Sequence, residues 1–188
     1  YFPSYAKFSD EYFEHYTTAN RIFYEKLKKL YRPGDLIWVH DYHLMLLPAM
    51  LRKDIPDAAI GFFLHIPFPS SEVFRILPSR WRVEILKGML GADLVGFHTH
   101  AYVQHFLKSI QKILGYDHVL RTVTAPERSI SVDTFPVSID FDKFYRAAGN
   151  TEIFNERNKI KKRLEGIKVI ISVDRLDYTK GITNRLEG

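Results

Sequence analysis

Three apolar segments of this sequence, each typical of a buried strand, end in side chains that could do chemistry. His40 and Asp41 end the first segment, His65 the second and His98 the third. Ligands of open α/β sheets bind beyond the carboxyl ends of the strands, and adjacent strands bring Asp41 and His65 to one rim. A carboxylate accepts hydrogen bonds from sugar hydroxyls, and an imidazole donates or accepts through either nitrogen. A polar ligand at this rim is therefore favoured over a purely structural role for both residues.

Metal binding is the competing interpretation of the segment His40-Asp41-Tyr42-His43, which offers nitrogen and oxygen ligands. A zinc site needs three or four convergent ligands. Consecutive residues at a strand end point in different directions, so this spacing is a weak metal signal and we expect no metal. The chain has no cysteine, which excludes disulfides, Cys-ligated metals and Cys catalysis.

Arg175 and Lys180 form a second group, in the loop between an apolar segment and an apparent helix start. Arginine offers a planar fork to phosphate oxygens, and lysine a point charge. A helix start after Gly181 would add free backbone N–H groups. Together these features favour a diphosphate site, with two solvated surface charges as the alternative. The loop lacks the Walker A and G-x-G-x-x-G patterns, which disfavours a P-loop NTPase or an ordinary dinucleotide dehydrogenase.

Strands that alternate with helices must position these residues. The pattern predicts an α/β fold with a Rossmann-like parallel sheet and helices on both faces. Thr99 and Gly115 are expected to begin and end one helix, and Ser70 or Ser71 to cap another. Residues 142–149 are expected to be a connection. The predicted strands are 36–39, 59–64, 93–97, 129–137 and 168–173, and the main predicted helices are 10–30, 44–53, 82–90, 101–114 and 150–165.

Composition excludes several classes of protein. Hydrophobic residues make up 46% of the 188, yet no window approaches the roughly 18 apolar residues of a membrane span. The net charge is only +5, and the densest basic run, 159–163, lies on a predicted helix as a solvated face, so we expect no nucleic-acid partner. No signal peptide is visible at Tyr1–Ser4, and we expect a cytoplasmic protein. Because the first residue is not Met and the last residues begin a helix, we expect a segment of a longer protein.

Four motifs carry a resemblance to a known family, and they span nearly the whole chain. They are Trp38-Val39-His40-Asp41-Tyr42-His43-Leu44, Gly61-Phe62-Phe63-Leu64-His65-Ile66-Pro67-Phe68-Pro69, Gly91-Ala92-Asp93-Leu94-Val95-Gly96-Phe97-His98-Thr99 and Val173-Asp174-Arg175-Leu176-Asp177-Tyr178-Thr179-Lys180-Gly181. In this order they resemble the trehalose-6-phosphate synthases, glycosyltransferase family 20. The resemblance implies a GT-B enzyme of trehalose biosynthesis, with two Rossmann-like domains. Such an enzyme moves glucose from UDP-glucose to glucose 6-phosphate with retention, giving α,α-trehalose 6-phosphate and UDP.

The resemblance also implies roles for four residues, all placed in the catalytic site. Asp41 lies on the acceptor side, at glucose 6-phosphate, and His65 near the transferred glucose of the donor. Arg175 and Lys180 hold the donor diphosphate, and neither a metal nor another cofactor is required. Residues 1–140 would be the later part of the acceptor-side domain. Residues 141–188 would be a linker and the first helix–strand unit of the nucleotide-sugar domain, so the segment alone holds an incomplete active site.

Alternatives remain open at this point. One is a synthase-like sensor that binds sugar phosphate without turnover, although the intact motif residues favour the active synthase. Another is a GT-B glucosyltransferase of the glycogen-synthase type, in which a glucan replaces glucose 6-phosphate as the acceptor. Retention could use a carboxylate nucleophile or front-face attack in which the leaving phosphate accepts the acceptor's proton. No membrane partner is expected, and a homo-oligomer stays open.

Overall fold

A six-stranded sheet organises the first part of the chain. The computed structural model describes residues 6–188, so Tyr1–Ser4, where no signal peptide is visible, lie outside the described residues. The strands are β1 (Leu36–His40), β2 (Ala59–Leu64), β3 (Leu94–Phe97), β4 (His118–Val119), β5 (Thr122–Ala125) and β6 (Arg128–Thr134). The helices are α1 (Asp10–Leu30), α2 (Leu47–Asp54), α3 (Ser71–Phe74), α4 (Ser79–Met89), α5 (His100–Leu114), α6 (Phe141–Arg146), α7 (Thr151–Arg163) and α8 (Ile182–Glu187).

The strand order is β1-β2-β3-β6-β5-β4. The pairs β1–β2, β2–β3 and β3–β6 are parallel, and β6–β5 and β5–β4 are antiparallel. The predicted α/β class with a parallel sheet is confirmed for β1, β2, β3 and β6. The antiparallel strands β4 and β5 were not predicted; they extend the sheet beyond β6.

The core lies between one face of the sheet and the helices. Along β1, Ile37 and Val39 are buried whereas Leu36 and Trp38 are exposed, as the period of two in a strand requires. Helices α1, α2, α4 and α5 place side chains in the same hydrophobic cluster as the buried residues of the strands. The fully buried large side chains are Phe62, Phe97, Phe106, Leu47, Leu51, Ile60, Leu64, Leu86, Met89, Leu107, Ile110 and Ile130. Each contributes roughly 1.5–3 kcal/mol relative to exposure.

Local signals set the helix ends where the sequence predicted them. The Thr99 side chain accepts from the Tyr102 N–H at 3.4 Å, and Gly115 ends α5 with φ = 70°. Ser70 caps α3 by accepting from the Val73 N–H. These predicted caps are confirmed. Of the helices within residues 6–188, none is both long and apolar enough to cross a membrane.

The segment Gly91-Ala92-Asp93 has a structural role. A Cβ on Gly91 would lie 2.2 Å from the backbone nitrogen of Ala49, so only glycine lets α2 approach this closely. The Asp93 carboxylate accepts from the Ile60 N–H at 2.7 Å and from Arg52 at 2.8 Å, and it also pairs with Arg128. This motif ties strands and α2 together at the amino end of β3, away from the strand ends that carry the histidines.

The chain divides into two compact units, one reaching to Val137 and the other from Ser138 to Gly188. Two predictions for the second unit are wrong. Residues 142–149 are not a simple connection, because α6 and a 3₁₀ turn occupy them. Residues 168–173 form no strand, and Ile170 and Ile171 are 95% and 85% exposed. A strand requires a neighbour to bond its backbone, and residues 138–188 contain no other strand to supply one.

Candidate active site

The carboxyl ends of β1 and β2 bring together the polar residues of the first unit. The two strands pair in parallel with His40 opposite Phe63. Asp41 therefore leaves the sheet beside His65, and the Asp41 N–H donates to the Phe63 carbonyl at 2.8 Å. The Asp41 carboxylate Oδ1 accepts the backbone N–H of His65 at 3.3 Å. The predicted meeting of Asp41 and His65 at one rim is present in the structure.

Asp41 has an unusual backbone conformation. Its φ is 70° and its ψ is 171°, a region that only glycine occupies without strain. Strain of this kind costs about 1–3 kcal/mol and persists where the surroundings impose it. Here the Phe63 carbonyl and the His65 N–H hold the residue on both sides. The Asp41 side chain stays 24% exposed, so its carboxylate can still reach a ligand.

Three imidazole rings lie side by side along the same rim. His40 Nδ1 and His65 Nε2 are 2.9 Å apart, with ring centroids 5.2 Å apart and planes at 25°. His98, at the end of β3, lies edge-on to His65 with centroids 5.6 Å apart. The Phe63 ring contacts both His65 and His98. The rim is therefore a row of ring nitrogens beside one carboxylate, suited to hydrogen-bonding a polyhydroxylated ligand.

Helix α1 anchors the loop that follows Asp41. The Tyr16 hydroxyl donates to the Tyr42 carbonyl at 2.7 Å and accepts from the Met45 N–H at 3.0 Å. Burial raises the pKa of this hydroxyl to about 12, although the Met45 and Asn20 bonds oppose the rise. The fully buried Asn20 amide accepts from the Leu46 N–H at 3.2 Å and donates to a loop carbonyl at 3.0 Å. These bonds fix the loop, and sequence reasoning overlooked both residues because they lie on α1, distant in sequence.

The second unit carries the loop with Arg175 and Lys180, both exposed. Asp177 caps the 3₁₀ turn Tyr178–Lys180: its carboxylate accepts from the Thr179 N–H at 2.9 Å and from the Thr179 hydroxyl at 2.8 Å. These two bonds, the backbone one first, lower the pKa of the Asp177 carboxyl. Gly181 follows with φ = 56° and precedes α8, as the sequence predicted for a helix start after this glycine.

Arg185, on α8, connects the two ends of this loop. Its guanidinium donates to the Lys180 carbonyl at 2.7 Å, pairs with the Asp174 carboxylate at 2.9 Å and bonds the Ser172 hydroxyl. One side chain thus connects the start of the loop to its end. Sequence reasoning missed Arg185; its only signal was an arginine one turn into a helix that begins at a proposed phosphate site.

The four predicted site residues therefore fall into two groups. Asp41 and His65 are in contact in the first unit, and Arg175 and Lys180 share one loop in the second. Asp41 Oδ2 and His43 Nδ1 are 4.0 Å apart. Within residues 6–188, no three or more His, Asp or Glu side chains are grouped so as to hold a metal ion.

Comparison with known proteins identifies the family of this chain. The model of glycosyltransferase family 20 matches residues 2–188. The chain belongs to glycosyltransferase family 20. Among curated members of the family, α,α-trehalose-phosphate synthase [UDP-forming] A of Dictyostelium discoideum is 47% identical over 100% of this chain and 25% of its own length. The synthase of Schizosaccharomyces pombe is also 47% identical, over 98% of this chain and 36% of its own.

Solved structures of the family superpose well on the chain. The trehalose-phosphate synthase of Burkholderia xenovorans in complex with glucose-6-phosphate has a TM-score of 0.83 and 32% identity, over 97% of this chain and 41% of its own. The N-terminal domain of Candida albicans trehalose-6-phosphate phosphatase has a TM-score of 0.84 and 41% identity, over 98% and 40%. This family 20 chain thus spans about a quarter to two fifths of the relatives that it matches.

Proposed function

We propose that this chain is part of an α,α-trehalose-phosphate synthase that moves glucose from UDP-glucose to glucose 6-phosphate. The observation that carries the proposal is the contact between Asp41 and His65 at the carboxyl edge of the sheet, in a member of family 20. A strained aspartate lies at the place where α/β sheets bind ligands. Strain at such a position is typical of a functional site.

In this proposal Asp41 binds the acceptor. One carboxylate oxygen is used by the His65 N–H, and the other is available to orient a hydroxyl of glucose 6-phosphate. The B. xenovorans relative, whose structure is described as a complex with glucose-6-phosphate, supports this choice of acceptor. Residues 1–140 would then be acceptor-side domain and residues 141–188 would begin the donor side, a boundary close to the division between the two compact units after Val137.

Arg175 and Lys180 are proposed to bind the donor diphosphate. Negative charge grows on the β-phosphate oxygen as UDP leaves the anomeric carbon. Fixed cations aimed at that oxygen bind the transition state more strongly than the ground state, which is the origin of rate acceleration. Asp177 and Arg185 support the role because they hold the loop in one shape. The two cations supply the charge that the step needs, so the proposal calls for no metal.

Retention is proposed to occur by front-face attack. The acceptor hydroxyl gives its proton to the leaving phosphate while Asp41 and His65 orient the two sugars. Support comes from the carboxylate of Asp41, which already bonds the His65 main chain and is therefore placed to position hydroxyls. A nucleophilic carboxylate would instead form a covalent glycosyl intermediate, which trapping and mass spectrometry of the full-length protein would detect.

A synthase-like module without turnover is the second candidate. The C. albicans structure that this chain matches at 41% identity is named as the N-terminal domain of a trehalose-6-phosphate phosphatase. A fold of this kind therefore occurs in a protein named for a different activity. Such a module would bind sugar phosphate and nucleotide without transferring glucose.

Assay of UDP release by the full-length protein tests the proposal. We expect UDP release from UDP-glucose that depends on glucose 6-phosphate and is not supported by a glucan acceptor. Asp41→Asn should weaken glucose 6-phosphate binding more than UDP binding, whereas the exposed Asp57→Asn should match wild type. Calorimetric binding of both ligands without UDP release would favour the second candidate. Glucan-dependent release would favour a glycogen-synthase type of enzyme.

A further inference from the structure

We propose that His40 is a positioning residue that orients the ring of His65. This inference rests on the proposed function, in which His65 meets the transferred glucose. Its basis is the 2.9 Å contact between His40 Nδ1 and His65 Nε2 across the parallel pair β1–β2. The ring planes are inclined by only 25° and the centroids lie 5.2 Å apart, so the two rings meet edge to edge, as a hydrogen bond between ring nitrogens requires.

His40 is itself held in place. It is the last residue of β1, so the β1–β2 ladder fixes its backbone. The Trp38 ring lies against it on the same face of the strand, with centroids 4.5 Å apart. Because the strand and the Trp38 indole restrict the His40 imidazole, a hydrogen bond to that imidazole also restricts the orientation of the His65 ring.

His65 is then held at two independent points. The Asp41 carboxylate bonds its main-chain N–H, and His40 bonds its side chain at Nε2. Neutral imidazole has one donor and one acceptor nitrogen, so the bond at Nε2 determines the role of Nδ1. His40 thus restricts the orientation of the His65 ring and couples the tautomer of His65 to its own: His65 Nδ1 donates if His40 Nδ1 is the donor across the contact, and accepts if His65 Nε2 is. Asp41 cannot replace this function because it acts on the backbone.

The experiment compares His40→Ala, His40→Asn and His40→Gln in the full-length protein, with steady-state kinetics for UDP-glucose. Asparagine places an amide nitrogen or oxygen near the position of Nδ1, whereas glutamine places it near Nε2. We expect kcat/KM to fall about 10- to 100-fold in the alanine and glutamine variants, the loss associated with one hydrogen bond and a misplaced group. The asparagine variant should stay within about 3-fold of wild type because it restores the bond. His15→Ala, which removes an exposed histidine of α1, is the matched control.

A double-mutant cycle separates positioning from an independent role. If His40 acts through His65, His40→Ala should cause no further loss in a His65→Ala background. Additive losses would overturn the proposal, as would equal losses in the asparagine and glutamine variants. Melting temperatures are measured alongside. If His40→Ala unfolds, the comparison of asparagine with glutamine decides.

Failure of this inference is distinguishable from failure of the proposed function. Wild-type kinetics in His40→Ala, together with a strongly impaired His65→Ala, would remove the role of His40 and leave the function standing. Wild-type kinetics in His65→Ala, Asp41→Asn and Arg175→Ala would remove the proposed site itself.

Discussion

Replacement of Asp41 by glycine and by alanine separates the strain at this position from its chemistry. Both variants remove the carboxylate and its bond to the His65 N–H, so this loss cancels in the comparison. Only alanine keeps a Cβ at φ = 70° and ψ = 171°. Relief of that strain favours glycine by about 1–3 kcal/mol. The greater chain entropy of unfolded glycine opposes this by roughly 0.5–1 kcal/mol.

We therefore expect Asp41→Gly to be more stable than Asp41→Ala by about 1 kcal/mol, with both variants losing activity. The measurement is the free energy of unfolding in urea of the full-length proteins, with UDP release measured in parallel. Asp57, an exposed turn residue without positive φ, gives the control pair, in which alanine should equal or exceed glycine. If alanine also exceeded glycine at position 41, the backbone there would not be strained and the reasoning would be refuted.

Three further predictions follow from the geometry. Lys180→Ala and Arg175→Ala should each lower kcat by about 10²–10³ without lowering the melting temperature. The effects in the double variant should be less than additive because both residues serve one diphosphate. A normal kcat in either single variant would make that residue an ordinary surface charge. Gly91→Ala should destabilise the protein by about 3 kcal/mol in urea unfolding because the Cβ of the new alanine would meet the backbone of α2. Gly149→Ala is the control and should be neutral because the space around Gly149 is open. Equal effects of the two substitutions would contradict the close packing at Gly91. The backbone N–H of Glu72, then the Ser71 hydroxyl and Lys112, lower the pKa of the Glu72 carboxyl from 4.5 to about 2. The contribution of this carboxylate to the free energy of unfolding is therefore complete above pH 4.5 and is lost as the pH falls toward 2. Wild type and Glu72→Gln should therefore converge in melting temperature over that window, and a constant difference would exclude the effect.

Local features of this fold were predictable from the sequence. The bounds of α1 and the caps Ser70, Thr99 and Gly115 depend on neighbouring residues, and the structure confirms them. The contact between Asp41 and His65 was predictable because parallel strand ends share one edge.

Other features were not predictable. Strands β4 and β5 have two and four residues, too short for a periodic signal, although each pairs across a short turn, β4 with β5 and β5 with β6. Residues 168–173 have the composition of a buried strand but lack a neighbour to pair with among residues 138–188. The conformation of Asp41 comes from its bonds to β2, which no local pattern encodes.

The most direct test of the proposed function follows the glucose itself. The full-length protein would be incubated with glucose 6-phosphate and UDP-glucose labelled with ¹³C at the anomeric carbon, and the product examined by NMR. We predict that the label moves to an α,α-1,1-linked disaccharide phosphate, with the α configuration retained and one UDP released per transfer. Label that remains in UDP-glucose, or that appears as free glucose or in a glucan, would contradict the proposed glucosyl transfer.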